Sequence, residues 1–101
     1  MAITSKFTKD NTVLTIFIEG DFDYSLAREF KSKYINEQQQ IESVIVDLSK
    51  TTTIDSSAIG MILGMQTDLN LGNNCISLIN ANEVISKVFK ITNLNNRFNI
   101  A

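Results

Sequence analysis

Apolar positions alternate with polar ones near the start of the chain and later recur every three or four residues. In NTVLTIFIEG, Leu14, Ile16 and Ile18 alternate with Val13, Thr15 and Phe17, so both faces are apolar enough for an interior strand. A shorter strand over 3–7 is expected to pair with it through the turn TKDN. The period becomes helical in DYSLAREFKSKYINEQQQ, where Leu26, Ala27, Phe30 and Tyr34 share a face and Asp23 or Ser25 supplies the cap. SVIVDLS has the β-branched run of a buried strand, and KTTTI reads as a loop. A helix follows from Ser57 to about Leu71, with Ile59, Ile62, Leu63 and Gln66 on one face. NCISLIN predicts another strand, NEVISKVFKI a short helix with Val84, Val88 and Ile91 inward, and RFNI a last short strand.

The order ββαβαβαβ predicts an α/β fold with a mixed, mostly parallel sheet of four or five strands and about three helices. Strand–helix–strand crossovers are right-handed and leave the linked strands parallel. The strands ending near Glu19, Leu48 and Asn80 should therefore open onto one edge of the sheet. The loops GDFDYS, KTTTIDSS and NANE gather there, where open α/β sheets bind ligands and partners. Asp21, Asp23 and Ser56 are expected as neighbours.

Composition narrows the function classes. A chain of 101 residues suits one domain, spanning 1–101. The net charge is −2, and its Lys and Arg residues are scattered except in REFKSK, which reads as the wet face of a helix. No electrostatic footprint for nucleic acid results. The longest apolar run, within Ala58–Met65, is too short to cross a bilayer, and the N-terminus lacks the apolar core of a secretory signal. One cysteine, Cys75, cannot form a disulfide within the chain, so a buried inert thiol in a reducing cytoplasm is expected. Histidine is absent, which excludes imidazole metal sites and hydrolases with a histidine base. The four glycines form no phosphate-cradling loop, and no cofactor or metal is expected.

The densest chemistry lies in TTTIDSSAIGMIL. Asp55-Ser56-Ser57 reads first as a helix N-cap, whose short polar side chain accepts from free backbone N–H groups. The same terminus carries roughly +0.5 of a charge and tolerates an added phosphate, so a phosphoserine at Ser56 is compatible with the cap. A serine nucleophile lacks a base and the GxSxG elbow. Asp21 and Asp23 fit either an acid/base pair or, more commonly, solvated carboxylates capping the next helix. In the helix itself, Ala58, Met61 and Met65 widen the apolar stripe, and Gly60 and Gly64 lie one turn apart. Small residues there serve close packing on the sheet, or the methionines line an exposed docking patch beside Ser56.

Taken as a whole, VIVDLSKTTTIDSSAIGMIL resembles the signature of the STAS domain, the fold of anti-sigma factor antagonists. IEGDFDYSLAREF resembles the family's GxxD segment with Asp23 at its acidic position, and NEVISKVFKITNLNNRFNI resembles its closing helix, turn and strand. The likeness covers nearly the whole chain. It implies that Ser56, directly after the motif acid Asp55, is the phosphorylated residue, and that Asp23 helps the kinase or partner engage it. Ser57 stands where the family has serine or threonine. Partner contacts are implied for Asp21, Asp23, Asp55, Ser57, Ala58, Met61 and Met65.

The function implied is that of a binding module without enzymatic activity, switched by phosphorylation. Unmodified, it would bind an anti-sigma factor, often itself an ATP-dependent serine kinase, and so release a sigma factor. A metal-dependent serine phosphatase would restore the active form. Ala58 replaces the more usual glycine, as in variants paired with a response-regulator phosphatase in motility and biofilm control. No counterpart of the family's additional C-terminal helix is expected after RFNIA. The downstream partner is thus left open among an anti-sigma factor, a diguanylate cyclase and another regulator. The alternative is a structural STAS subunit of a transporter or lipid-transport assembly, in which Ser56 is only a cap.

Overall fold

The computed structural model describes residues 2–37 and 40–101. Its five strands lie side by side in chain order. β1 (Ile3–Phe7) runs antiparallel to β2 (Val13–Phe22), and β3 (Ser43–Ile54), β4 (Ile76–Ile79) and β5 (Asn99–Ile100) continue parallel to β2. Helices α1 (Ala27–Ser32), α2 (Ser56–Asp68) and α3 (Glu83–Ile91) supply the three parallel crossovers. The mixed sheet and three helices are those expected from the alternation of patterns.

Because consecutive strands are neighbours, right-handed crossovers place all three helices on one face of the sheet. Leu14, Ile16 and Ile18 of β2, Val44, Val46 and Leu48 of β3, and Ile76 and Leu78 of β4 are buried on that face in one cluster with Phe30, Ile62, Met65, Ile85 and Phe89. The opposite face carries Thr15, Phe17, Ile45 and Ile79, all half-buried, with Lys6 Nζ 5.6 Å from the Phe17 ring centroid. β2 is therefore interior to the sheet, but its second apolar face has no helix layer above it.

Beyond Phe17, β3 is longer than its partner. The 10 residues of β2 lie beside 12 of β3, and the register shifts between Phe17 and Glu19 and again between Gly20 and Asp21. Each shift places one extra residue in β3, a bulge that bends and twists the strand. Thr51 lies between the two bulges, 4% exposed, and its hydroxyl donates a 2.7 Å bond to the Ile18 carbonyl. Gly20, paired with Thr51, has φ of 84°, which a side chain would strain. The segment KTTTI is thus strand, not the expected loop. Its β-branched threonines favour extended backbone, and β3 ends at Ile54, as β2 ends at Phe22, past the expected Leu48 and Glu19.

The first helical segment is broken rather than continuous. A 3-10 turn (Tyr24–Leu26) precedes α1 and another (Ile35–Glu37) follows it; Gln38 and Gln39 of the expected helix lie outside the described residues. Phe30 and Tyr34 are buried as expected, and the Tyr34 hydroxyl donates to Asp68 Oδ2 at 2.8 Å, tying α1 to the end of α2. Burial, then that bond and the Asp68 charge, push the Tyr34 hydroxyl well above the usual range.

α3 is rotated relative to the expected face. Ile85 and Phe89 point into the core, whereas Val84 is 64% and Ile91 81% exposed, and Val88 is half-buried at the border. An i, i+4 pair centred on the sheet leaves the expected stripe about 100° off the core direction. Cys75, expected to be buried, is half-buried just before β4.

Candidate functional site

The carboxyl ends of β2, β3 and β4 open onto one edge, as the topology requires, and the DSS segment lies on it. Asp55 leaves β3 with extended backbone (φ −122°, ψ −179°) and caps α2. Its Oδ1 accepts 2.6 Å from the Ser57 hydroxyl and 3.1 Å from the Ala58 N–H. The Ser57 bond first, and then the Ala58 N–H, hold the carboxyl below the usual carboxylate range. An anion is thereby kept at the positive end of the helix dipole. Ser56, the first residue of α2, is exposed, and the Asp55 carboxylate is bonded to Ser57 rather than to it.

The other two acids share the edge but serve their own neighbours. Asp23 is the cap of the Tyr24–Leu26 turn, its Oδ1 accepting 3.0 Å from the Ser25 N–H and also from the Ser25 hydroxyl. Asp21 Oδ1 accepts 2.7 Å from the Thr53 hydroxyl across β2 and β3, beside the second bulge. Local bonds thus anchor three carboxylates around the start of α2.

The α2 residues divide differently from the expected patch. Ala58 and Met65 are each 0% exposed, so neither reaches a partner; Met61 alone of the three is half-buried. The stripe is wide because α2 packs on both the sheet and α1. Gly60 and Gly64 lie on the exposed side, where an added Cβ would meet nothing within 4 Å, so close packing on the sheet does not explain them.

One positioning residue escaped the sequence reading. Asn82 caps α3, accepting 2.9 Å from the Ile85 N–H, while its Nδ2 donates to the carbonyls of Thr52 (3.0 Å) and Thr51 (3.3 Å). It thereby clamps the bulged end of β3 to the start of α3. An Asn directly ahead of the helical run is the signal that could have found the cap; the clamp has none, because it depends on bulges that no periodicity announces.

Among the described residues, no helix is long and apolar enough to cross a membrane.

Comparison with known proteins places this geometry. The sequence model of the STAS domain matches residues 4–101. A STAS-domain containing protein of Pseudomonas aeruginosa (strain UCBPP-PA14) is 35% identical over 101 residues, covering 100% of both chains. The structure of the anti-sigma factor antagonist SpoIIAA in its unphosphorylated form superposes with a TM-score of 0.80 at 19% identity, over 99% of this chain and 88% of that one. The Bacillus cell fate determinant SpoIIAA in the phosphorylated form gives 0.70 at 20% identity, over 99% of this chain and 91% of that one. At those identities the two structures establish a shared fold.

Proposed function

The chain belongs to the STAS-domain family, and from that premise we propose that it is an anti-sigma factor antagonist, a cytoplasmic binding module without enzymatic activity that is switched by phosphorylation of Ser56. The observation that carries the reading is the inequality of the two serines. Ser56 stands exposed at the N-terminus of α2, while Ser57 is tied to Asp55.

A helix N-terminus offers unpaired N–H donors and a positive partial charge, so a phosphate on Ser56 leaves the fold standing. It adds about −1.5 to −2 charges to a surface already carrying Asp21, Asp23 and Asp55. In the unmodified state an anti-sigma factor or serine kinase covers this edge. An uncompensated charge buried in that contact costs on the order of 2–5 kcal/mol, roughly a 30-fold to several thousand-fold loss of affinity. A serine phosphatase, free or fused to a response regulator, reverses the change, and a diguanylate cyclase is the other candidate for the downstream partner. The shared fold of a phosphorylated and an unphosphorylated SpoIIAA supports a switch that acts on the surface without refolding.

The test is intact mass after incubation with ATP and lysate from the source cells. Gain of one phosphate that disappears in Ser56→Ala supports the switch. Absence of the gain under every growth condition favours a constitutively docked structural subunit instead.

A further inference from the structure

β5 is the outer strand of the sheet and has 2 residues, against 9 in α3, the helix that leads toward it. So short a strand leaves part of the helix without sheet beside it. A cavity of about 570 Å³ opens there, lined by Ser86, Phe89, Lys90, Asn93, Asn95 and Ile100. Phe89, 1% exposed, and the half-buried Ile100 supply its apolar surface. Ile100 pairs with the core residue Leu78, so its side chain lies on the helix-bearing face with Phe89.

The backbone of β5 determines what faces outward. Ala101 bonds inward: its N–H donates to the Leu78 carbonyl and its carbonyl accepts from the Asn80 N–H, both at 3.1 Å. Bonding groups of successive strand residues turn to opposite sides, so Ile100 directs its N–H and C=O away from β4. β5 is an edge, and no further strand takes them. A cavity between a helix and an open strand edge suits an extended peptide, with main-chain bonds on the edge and alternate side chains in the pocket.

The charges select which peptide fits. From Val84 to Ala101 the chain carries Lys87, Lys90 and Arg97 and no acidic side chain. α3 begins at the carboxyl edge of the sheet, where Asn82 bonds Thr51 and Thr52, and Asp21, Asp23 and Asp55 lie at that edge. Glu83 is in the first turn of α3 and Lys90 in the last, roughly 10 Å along the axis. Among the described residues Lys90 forms no ion pair, and the side chains of Ser86, Asn93 and Asn95 form no hydrogen bond. The polar rim of the cavity is thus a set of unengaged donors around one uncompensated ammonium, which matches a carboxylate.

We propose that the cavity between α3 and the β5 edge takes an extended acidic segment of a partner protein. Its backbone bonds to Ile100, an apolar side chain rests on Phe89 and Ile100, and a carboxylate meets Lys90. The site lies at the other end of α3 from the phosphorylation edge and is independent of the switch.

The test titrates the full-length, 15N-labelled chain with a capped peptide of alternating valine and glutamate. One control replaces glutamate by lysine; a second keeps the charge but is N-methylated along its backbone, which removes the donors that strand addition needs. The acidic peptide should shift the amides of Ser86, Lys90, Asn93, Asn95 and Ile100 and bind at least about 10-fold more tightly than either control. Lys90→Gln, an exposed substitution, should weaken it by about 10-fold. Absence of binding, shifts elsewhere, equal binding of the lysine peptide, or unchanged affinity in Lys90→Gln overturns the proposal. Equal binding of the N-methylated peptide also overturns it, making the cavity an anion site without strand addition.

Discussion

The Ser57 hydroxyl lies 2.6 Å from Asp55 Oδ1, one residue along from a serine that faces solvent. A kinase that reaches this edge meets Ser56 free but must break a charge-assisted bond to use Ser57. Tandem mass spectrometry of the partly phosphorylated chain should find Ser56 modified first. In Asp55→Ala, where Ser57 is released, modification of Ser57 should rise; an unchanged ratio would show that the Asp55 bond does not govern the choice.

The same carboxylate sets a pH window. Its folded pKa lies below the unfolded value, which is about 3.9 for aspartate. The cap therefore contributes fully above that pH and is lost as pH falls through the folded value. Amide shifts of Ser57 and Ala58 should stay constant down to about pH 4 and move only below it. A midpoint above pH 4 would contradict the bonds assigned to Asp55.

Asn82 combines two roles that substitution separates. Asn82→Ala removes the α3 cap at a cost of about 1 kcal/mol, and it also frees the carbonyls of Thr51 and Thr52. Asn82→Asp keeps the cap acceptor but loses the donation. Urea denaturation should rank wild type above Asp and Asp above Ala, with amide shifts at Thr51–Thr53 moving in both variants.

Rotation of α3 gives a direct contrast between neighbouring positions. Phe89→Ala should cost about 3–5 kcal/mol, whereas Ile91→Ser should stay within roughly 0.5 kcal/mol of wild type. A large loss at Ile91 in equilibrium denaturation would show that the expected inward stripe was right after all.

Thr51→Val keeps the shape of a buried side chain but leaves the Ile18 carbonyl without its 2.7 Å donor. The expected loss is about 1–3 kcal/mol, read from urea midpoints. A neutral result would mean that the bulge, rather than the hydroxyl, holds β3 against β2 at this point.

Much of this fold was readable because its signals are local. Apolar residues on both faces identified β2, the TKDN turn placed β1 beside it, the β-branched run identified the first half of β3, and the Asp55 cap identified the start of α2. The parallel direction of the linked strands, and the common edge of their carboxyl ends, followed from the crossover rule. What escaped depended on contacts across the sheet. The bulges that turn KTTTI into strand answer a mismatch between β2 and β3, which neither segment shows alone. The phase of α3 was misread because NEVISKVFKI has apolar residues over nearly half its circumference. Val84, Val88, Ile91 and Ile85, Phe89 are both plausible stripes, and only packing on the sheet decides between them. For α2, apolar periodicity did not reveal that Ala58 and Met65 sit between the sheet and α1, so a packing surface resembled a docking patch. Placement of Asp21, Asp23 and Ser56 on one edge was legible, yet their individual hydrogen bonds were not.

The two surplus residues of β3 make the position of α2 a question of counting. Deleting one residue between Ser49 and Thr53 would remove a bulge: the later residues would keep their partners and faces beside β2, but the local bend and twist that aim the strand end would be lost. The residue opposite Gly20 would still face the core, but the DSS turn would leave the sheet at a different angle. Length, in this segment, is itself a specification.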